Sequence, residues 1–355
     1  MRAFCLLAFG NRLHCGDVSS RIGLVSVLCV ACSTSPMAID AAALPDAAEL
    51  PDAAGSRDAN DAGRAIPVPT IDSPWRELAT SPDLGALTTA GQEPVDFAIW
   101  PAADGSWQLE SCIRFTREPG GSRLLYRWHA AHFTDSDWTP VGIAMHADTS
   151  VGELEGWIQA PFVVQATDGF HMFYGDGNDI CQATSTDGIT FTRRLTAAGV
   201  TAMYSDGPNT GTRDPMVLRV GDHWIAYDTA TSPDGAGAVY ARTSVDLVAW
   251  SAPTLVAEGG VASGNTAYTA ECPFVVYRAD VGLYYLFRNQ TYGTGARNSV
   301  YASPDPMSFG VADDRYFVTH LPVAAAEIVT YEGETYIAAL RDTLDGIHVA
   351  HLSWL

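Results

Sequence analysis

From about residue 92 onward, short apolar runs and polar turns recur along this chain in a fixed order. Each copy starts with a β-forming run: Asp96-Phe97-Ala98-Ile99, Pro161-Phe162-Val163-Val164, Pro215-Met216-Val217-Leu218, Pro273-Phe274-Val275-Val276 and Glu327-Ile328-Val329. A glycine follows each run, at Gly105, Gly169, Gly221, Gly282 and Gly333, and after it comes a second apolar run such as Tyr284-Tyr285-Leu286-Phe287. Apolar β-formers on both sides of a glycine turn predict antiparallel hairpins. Further on, Ser185-Thr186-Asp187 precedes Phe191, Ser244-Val245-Asp246 precedes Trp250, and Ser303-Pro304-Asp305 precedes Phe309. There the serine and aspartate are expected to close a turn through side-chain bonds to the backbone, and the aromatic to pack between neighbouring sheets.

These turns stand about sixty residues apart, and three or four strands per such period describe a propeller blade. The stretch holds five copies, so the predicted fold is all-β, a five-bladed β-propeller; a β-sandwich would give shorter and less regular spacing. In a propeller the innermost strand of every blade lines the central channel. Residues that open those strands therefore converge at one mouth.

Ahead of the repeats the pattern changes. Arg21 precedes an apolar run from Ile22 to Ala31, too short to span a bilayer and typical of a secretory signal, here residues 1–32. Its ending, Leu28-Cys29-Val30-Ala31-Cys32, resembles a bacterial lipoprotein signal in which Cys32 would carry the lipid; ordinary cleavage near the same point is the alternative. Residues 33–73 are rich in alanine, aspartate and proline and repeat Leu44-Pro45-Asp46-Ala47-Ala48-Glu49 almost unchanged as Leu50-Pro51-Asp52-Ala53-Ala54-Gly55. Such a composition cannot offset the entropy of ordering and predicts a disordered tether. Residues 74–355 remain for the propeller, which is expected to act as a monomer after export, at the cell surface or outer membrane, or in the periplasm or medium. Membrane contact is expected only through the N-terminal lipid.

The formal charge is −21 and every basic residue is arginine, which argues against nucleic acid and is compatible with a neutral oligosaccharide. Outside the N-terminal segment only Cys112, Cys181 and Cys272 remain, with no metal-type spacing. Cys112 and Cys181 could pair, but small buried thiols are the expected state. Nucleophile-elbow, phosphate-loop and zinc motifs are absent from the sequence.

Candidate chemistry sits at the blade openings: Asp96, Gln159-Ala160, Arg213-Asp214, Glu271-Cys272 and Ala326-Glu327. Isolated buried carboxylates are costly, so acids at three matched positions exceed what a structural ring needs. Paired carboxyls are the equipment for breaking a glycosidic bond, one as proton donor and one on the opposite side. Arg213-Asp214-Pro215 and Glu271-Cys272-Pro273, preceded by Asp96, resemble the acid motifs of the five-bladed furanosidases of glycoside hydrolase families 43 and 32, which include arabinanases, xylosidases and invertases. The resemblance covers residues 92–355. It implies Asp96 as base or nucleophile, Asp214 as transition-state stabiliser and Glu271 as proton donor. Val95-Asp96-Phe97 departs from the Asn-Asp-Pro-Asn-Gly of family 32, which leaves the choice between fructosides and arabinosides or xylosides open.

Arg213, Gln159, Asn289, Tyr292, Glu327 and His320 are candidate sugar-binding residues, while Trp100 and Trp224 are expected in the core. No cofactor is required, although the family 43 resemblance leaves room for a structural calcium ion in the channel. The competing reading is a non-catalytic carbohydrate-binding propeller. A phosphorylase would need more basic residues at the mouth than Arg213.

Overall fold

Each glycine-separated pair of runs forms an antiparallel hairpin, and each hairpin grows outward into a sheet. In the computed structural model, residues 65–209, 211–262 and 266–355 are described. The expected signal segment, Cys32 and tether residues 33–64 lie outside the described residues. Blade one comprises Glu93–Pro101, Trp107–Arg114, Leu124–Ala130 and Thr139–Met145. Blade two comprises Gln159–Ala166, Gly169–Gly175 and Ile180–Ser185, with Thr192–Arg193 and Ala202–Tyr204 on its outer edge. Blade three has Arg213–Val220, His223–Thr231, Gly237–Ser244 and Thr254–Glu258, and blade four Glu271–Arg278, Leu283–Thr291, Arg297–Ser303 and Phe317–Leu321. The inner strand of each blade packs against that of the next, and the inner strand of blade five, Ala324–Tyr331, packs against that of blade one. The ring is closed, with five blades as the repeat count predicts.

The last residues of the segment expected as a tether are part of a sheet. Pro69–Ile71 and Arg76–Thr80 both pair with Gly346–Trp354, so the N-terminal strands supply the outer edge of blade five. Residues 65–73 therefore belong in part to the propeller; a three-residue strand between prolines has no periodicity to betray it, and only the unpaired edge of a distant strand recruits it. The closure is tied by backbone bonds between Val68 and Leu355 in both directions, by Trp75 stacked on His348 at 3.8 Å, and by His351, whose ring bonds Asp72 at 2.6 Å and Glu334 at 3.1 Å. Trp138 N–H also donates to Leu78 O at 2.8 Å, which links the closing strand to blade one.

Neighbouring blades are locked by the repeated turn. The Asp187 carboxylate accepts from the N–H groups of Ile189 and Thr190, and Asp246 does the same for Val248 and Ala249. The carbonyl one residue past each aspartate points back to the preceding blade and is bonded there: Trp100 Nε1 donates to Gly188 O at 2.7 Å, Gln182 Nε2 to Leu247 O at 3.1 Å, and the Tyr227 hydroxyl to Pro306 O at 2.9 Å. The aromatic four residues on then meets that same blade edge-on, Phe191 against Trp100, Trp250 against Phe173 and Phe309 against Tyr227. Such a contact adds about 1 kcal/mol to the burial of the rings themselves. Trp100 and Trp224 are core residues, and Cys112 and Cys181 are buried free thiols.

Because the N-terminal strands complete blade five, a chain starting at residue 65 should melt as one cooperative transition close to that of the full chain. One starting at residue 82 should melt at least about 10 °C lower or lose the transition, as expected when a sheet edge and its core contacts are removed. Thermal unfolding followed by circular dichroism compares them.

Candidate active site

The mouth of the channel is built from a backbone distortion repeated in every blade. One residue near the start of each inner strand has positive φ: Asp96 at 43°, Ala160 at 49°, Asp214 at 56°, Cys272 at 47° and Ala325 at 51°. At each of them the pairing with the second strand slips register. This is a β-bulge, which bends the strand and re-aims a side chain. A left-handed conformation costs a non-glycine residue about 1–2 kcal/mol, so five copies represent strain that the ring must hold. Proline follows in three blades, at Pro161, Pro215 and Pro273, where the bulge removes the need for a ladder N–H.

This register corrects the alignment of the acids. Asp96 and Asp214 occupy the bulge, but Glu271 lies one residue ahead of it, level with Arg213 and Gln159, and Cys272 takes the bulge position. In blade five the bulge falls at Ala325, and Glu327 lies two residues further down the channel wall. The trio is therefore two bulge residues plus one flanking residue, and the offset is what lets Glu271 meet Arg213 of the adjacent blade.

The side chains converge. Atoms of Asp96, Asp214 and Cys272 lie within 4.8 Å of one another. Arg213 Nε donates to Glu271 Oε1 at 2.9 Å and stands 3.8 Å from Asp214 Oδ2. Its remaining N–H groups are anchored on Gly211 O at 2.9 Å and Ala267 O at 2.7 Å. Two bulge N–H groups are capped by side chains of other strands: Cys272 N–H by Asp214 Oδ2 at 3.1 Å, and Ala325 N–H by Asn289 Oδ1 at 3.3 Å. Asn289, expected among the sugar-binding residues, is fully buried and spends its Oδ1 on this backbone cap. The Cys272 thiol donates to Asp96 Oδ1 at 3.3 Å and lies 3.3 Å from the Tyr292 hydroxyl. Phe97, Phe162, Met216 and Phe274 form the floor, with Glu327 among them.

The other expected residues divide. Gln159 is buried at the mouth, and its amide oxygen accepts from Arg123 Nη1. Tyr292 reaches the site through Cys272. Glu327 lines the channel and accepts from Ile99 N–H at 3.2 Å. His320 does not reach the site: it lies on Phe317–Leu321, the outermost strand of blade four, bonded to Ser299 Oγ at 3.0 Å and to Arg297. Order in the sheet, invisible in the local sequence, decides that. Sequence reasoning also missed Arg123, the thiol contact to Asp96 and the Arg114–Glu93 pair at 2.7 Å. The only available signal was the position of these residues at strand ends. Among the described residues the side-chain donors clustered at the mouth are two carboxylates and a thiol, a smaller and softer set than the six to eight oxygens a calcium ion takes.

Crowding sets the protonation states. Burial raises the Glu271 carboxyl to about 7, with Asp214 and Asp96 adding to the rise and Arg213 opposing it. Burial, then Asp96, raises Asp214 to about 6, against Arg213 and the Cys272 N–H. Burial works against the charge of Arg213, yet Asp214 and Glu271 beside it hold the guanidinium protonated. The Cys272 thiol is pushed well up by burial and by the acids, so it is a neutral S–H donor. Burial alone pushes the Glu327 carboxyl well above the usual range.

No protein-family model matches the chain. The probable sucrose-6-phosphate hydrolase of Psychromonas ingrahamii is 29% identical over 186 residues, 45% of this chain and 32% of that protein, so the match spans about a third of the relative's length. A thermostable family-43 glycoside hydrolase superposes with a TM-score of 0.55 at 14% identity, covering 78% of this chain and 93% of the other. A family GH32 beta-fructofuranosidase of Bombyx mori gives 0.54 at 16%, covering 80% of this chain and 63% of the other. The fold is thus that of glycoside hydrolase structures in both families.

An acid whose pKa is raised by folding contributes stability that is complete below its unfolded value, near 4, and lost as pH rises through the folded value. For Glu271 that window is about 4 to 7. Glu271→Gln should therefore be more stable than the wild type at pH 8, by about 3 kcal/mol, and equal to it near pH 4. Denaturant melts across this range read the difference.

Proposed function

We propose that the chain is a glycoside hydrolase cleaving O-glycosidic bonds of furanosides or pentosides. The observation that carries this reading is the convergence of Asp96, Asp214 and Glu271 at one channel mouth, with Arg213 bridging two of them. In this mechanism Glu271 protonates the departing glycosidic oxygen. Its raised pKa keeps the proton available up to about 7, as a general acid requires. Asp96 attacks the anomeric carbon or activates the attacking water. Asp214, ionised above about 6, faces the positive charge that develops on the sugar ring and accepts its hydroxyls. Arg213 keeps the Glu271 proton from being bound too tightly. The overlap of a protonated Glu271 with an ionised Asp214 is widest between those two values. No cofactor enters the scheme.

We further propose that the enzyme works after export, with Cys32 lipidated and residues 33–64 serving as the tether. The apolar run before Cys32 and the alanine, aspartate and proline content after it support this.

Two measurements test the mechanism. Glu271→Gln should lower kcat by at least about a thousandfold on glycosides with poor leaving groups and far less on a dinitrophenyl glycoside, which needs no proton. Equal losses on both, or turnover of no member of an arabinoside, xyloside and fructoside panel by the wild type, would defeat the assignment. In the pH profile, kcat/KM should fall above about 7 as Glu271 loses its proton, and Arg213→Met should move that limb upward, because Arg213 opposes the rise. A limb that stays in place or moves down contradicts the role given to Arg213.

A further inference from the structure

Two exposed aromatic rings flank the acid trio, and each is held by an arginine. Trp157, 41% exposed, lies just before the inner strand of blade two, and Tyr268, 66% exposed, just before that of blade four. The Arg123 guanidinium sits 5.4 Å from the centre of the Trp157 ring, and that of Arg213 5.5 Å from the centre of the Tyr268 ring. Large exposed rings gain little for stability, so a built-in support asks for a reason. Trp157 has such a support. A Cβ on Gly121 would come within 2.5 Å of the indole, and one on Gly177 within 3.0 Å of the Trp157 side chain. Two loops have thus given up side chains to seat it.

The two rings are ends of one continuous strip. Arg123 passes from the Trp157 ring to the amide oxygen of Gln159. Gln159 and Arg213 meet over Gly175, where a Cβ would lie 3.4 Å from the first and 3.5 Å from the second. Arg213 then leads to Glu271 and, through its guanidinium, to the Tyr268 ring. The strip therefore carries a flat apolar plate at each end and hydrogen-bonding groups between them, and the proton donor is bonded to its Arg213. Sugar rings present an apolar C–H face and a rim of hydroxyls, which matches plates for stacking and arginine and amide groups for the rim.

The geometry points to an extended cleft for a neutral oligosaccharide, in which sugar rings beyond the one at the reaction centre stack on Trp157 and Tyr268. Tyr268, next to the acid that protonates the leaving group, carries the leaving-group side. The substrate is then a chain cut away from its end, not a disaccharide. This inference rests on the glycosidase reading and deepens it.

The test uses the full chain and arabino-, xylo- and fructo-oligosaccharides of two to five rings, with nitrophenyl glycosides of the same single sugars as reference. For the wild type, kcat/KM should rise with chain length. Trp157→Ala and Tyr268→Ala should each lose about tenfold more on the longest oligosaccharide than on the nitrophenyl glycoside, the scale of one stacking contact, and Trp157→Phe and Tyr268→Phe should recover most of it. Binding of the longest oligosaccharides to Glu271→Gln, read by calorimetry, should weaken in parallel. Equal losses on both substrate types, or no dependence on chain length, overturn the cleft while leaving the hydrolase intact. Absence of both turnover and binding overturns both.

Discussion

The site depends on a small backbone fault made five times. An inner strand of a closed ring would ordinarily alternate its side chains between its two faces. A left-handed residue near the strand's start breaks the alternation and frees one backbone N–H. Asp96 and Asp214 are turned toward the channel by that fault, and Asp214 then repays it in the next blade by capping the N–H that Cys272 leaves unpaired. Asn289 does the same service for Ala325. The proposed catalytic use and the structural use of the bulge are therefore hard to separate, since removing Asp214 strips a carboxyl from the site and a cap from the backbone together.

Strain of this kind persists only if the surrounding ring cannot relax. Two devices prevent relaxation. The Ser-x-Asp turn presents a carbonyl that the preceding blade bonds, and the aromatic after it seals the same seam. The N-terminal strands close blade five, so chain ends that lie far apart in sequence are joined by ladder bonds. Without that closure blade five would carry an open edge and the inner ring could splay.

Crowding of acids is the counterpart of the strain. Glu271 and Asp214 are buried and close to Asp96, and the arginine between them offsets only part of the cost. The arrangement trades stability at neutral pH for a carboxyl that still holds a proton there, as functional sites often do. Arg213 is the hinge of this balance, because it touches both acids and is itself fixed by two backbone carbonyls.

Much of this was legible in the chain itself. Glycine after each apolar run and the period specified five hairpins, and the Ser-x-Asp spacing three of the seams between them, because turn chemistry and alternation are local properties that each copy states independently. Asp96, Asp214 and Glu271 could be named because each stands near the opening of an inner strand of that repeat. What the sequence could not carry were relations between distant strands. The one-residue offset of Glu271, the outer-strand placement of His320, the burial of Asn289 under Ala325 and the recruitment of Pro69–Ile71 all depend on which strand lies beside which. Local residue types determine that a hairpin forms; only ring closure decides which side chains from different hairpins stand a few ångströms apart, and the chemistry resides in those distances.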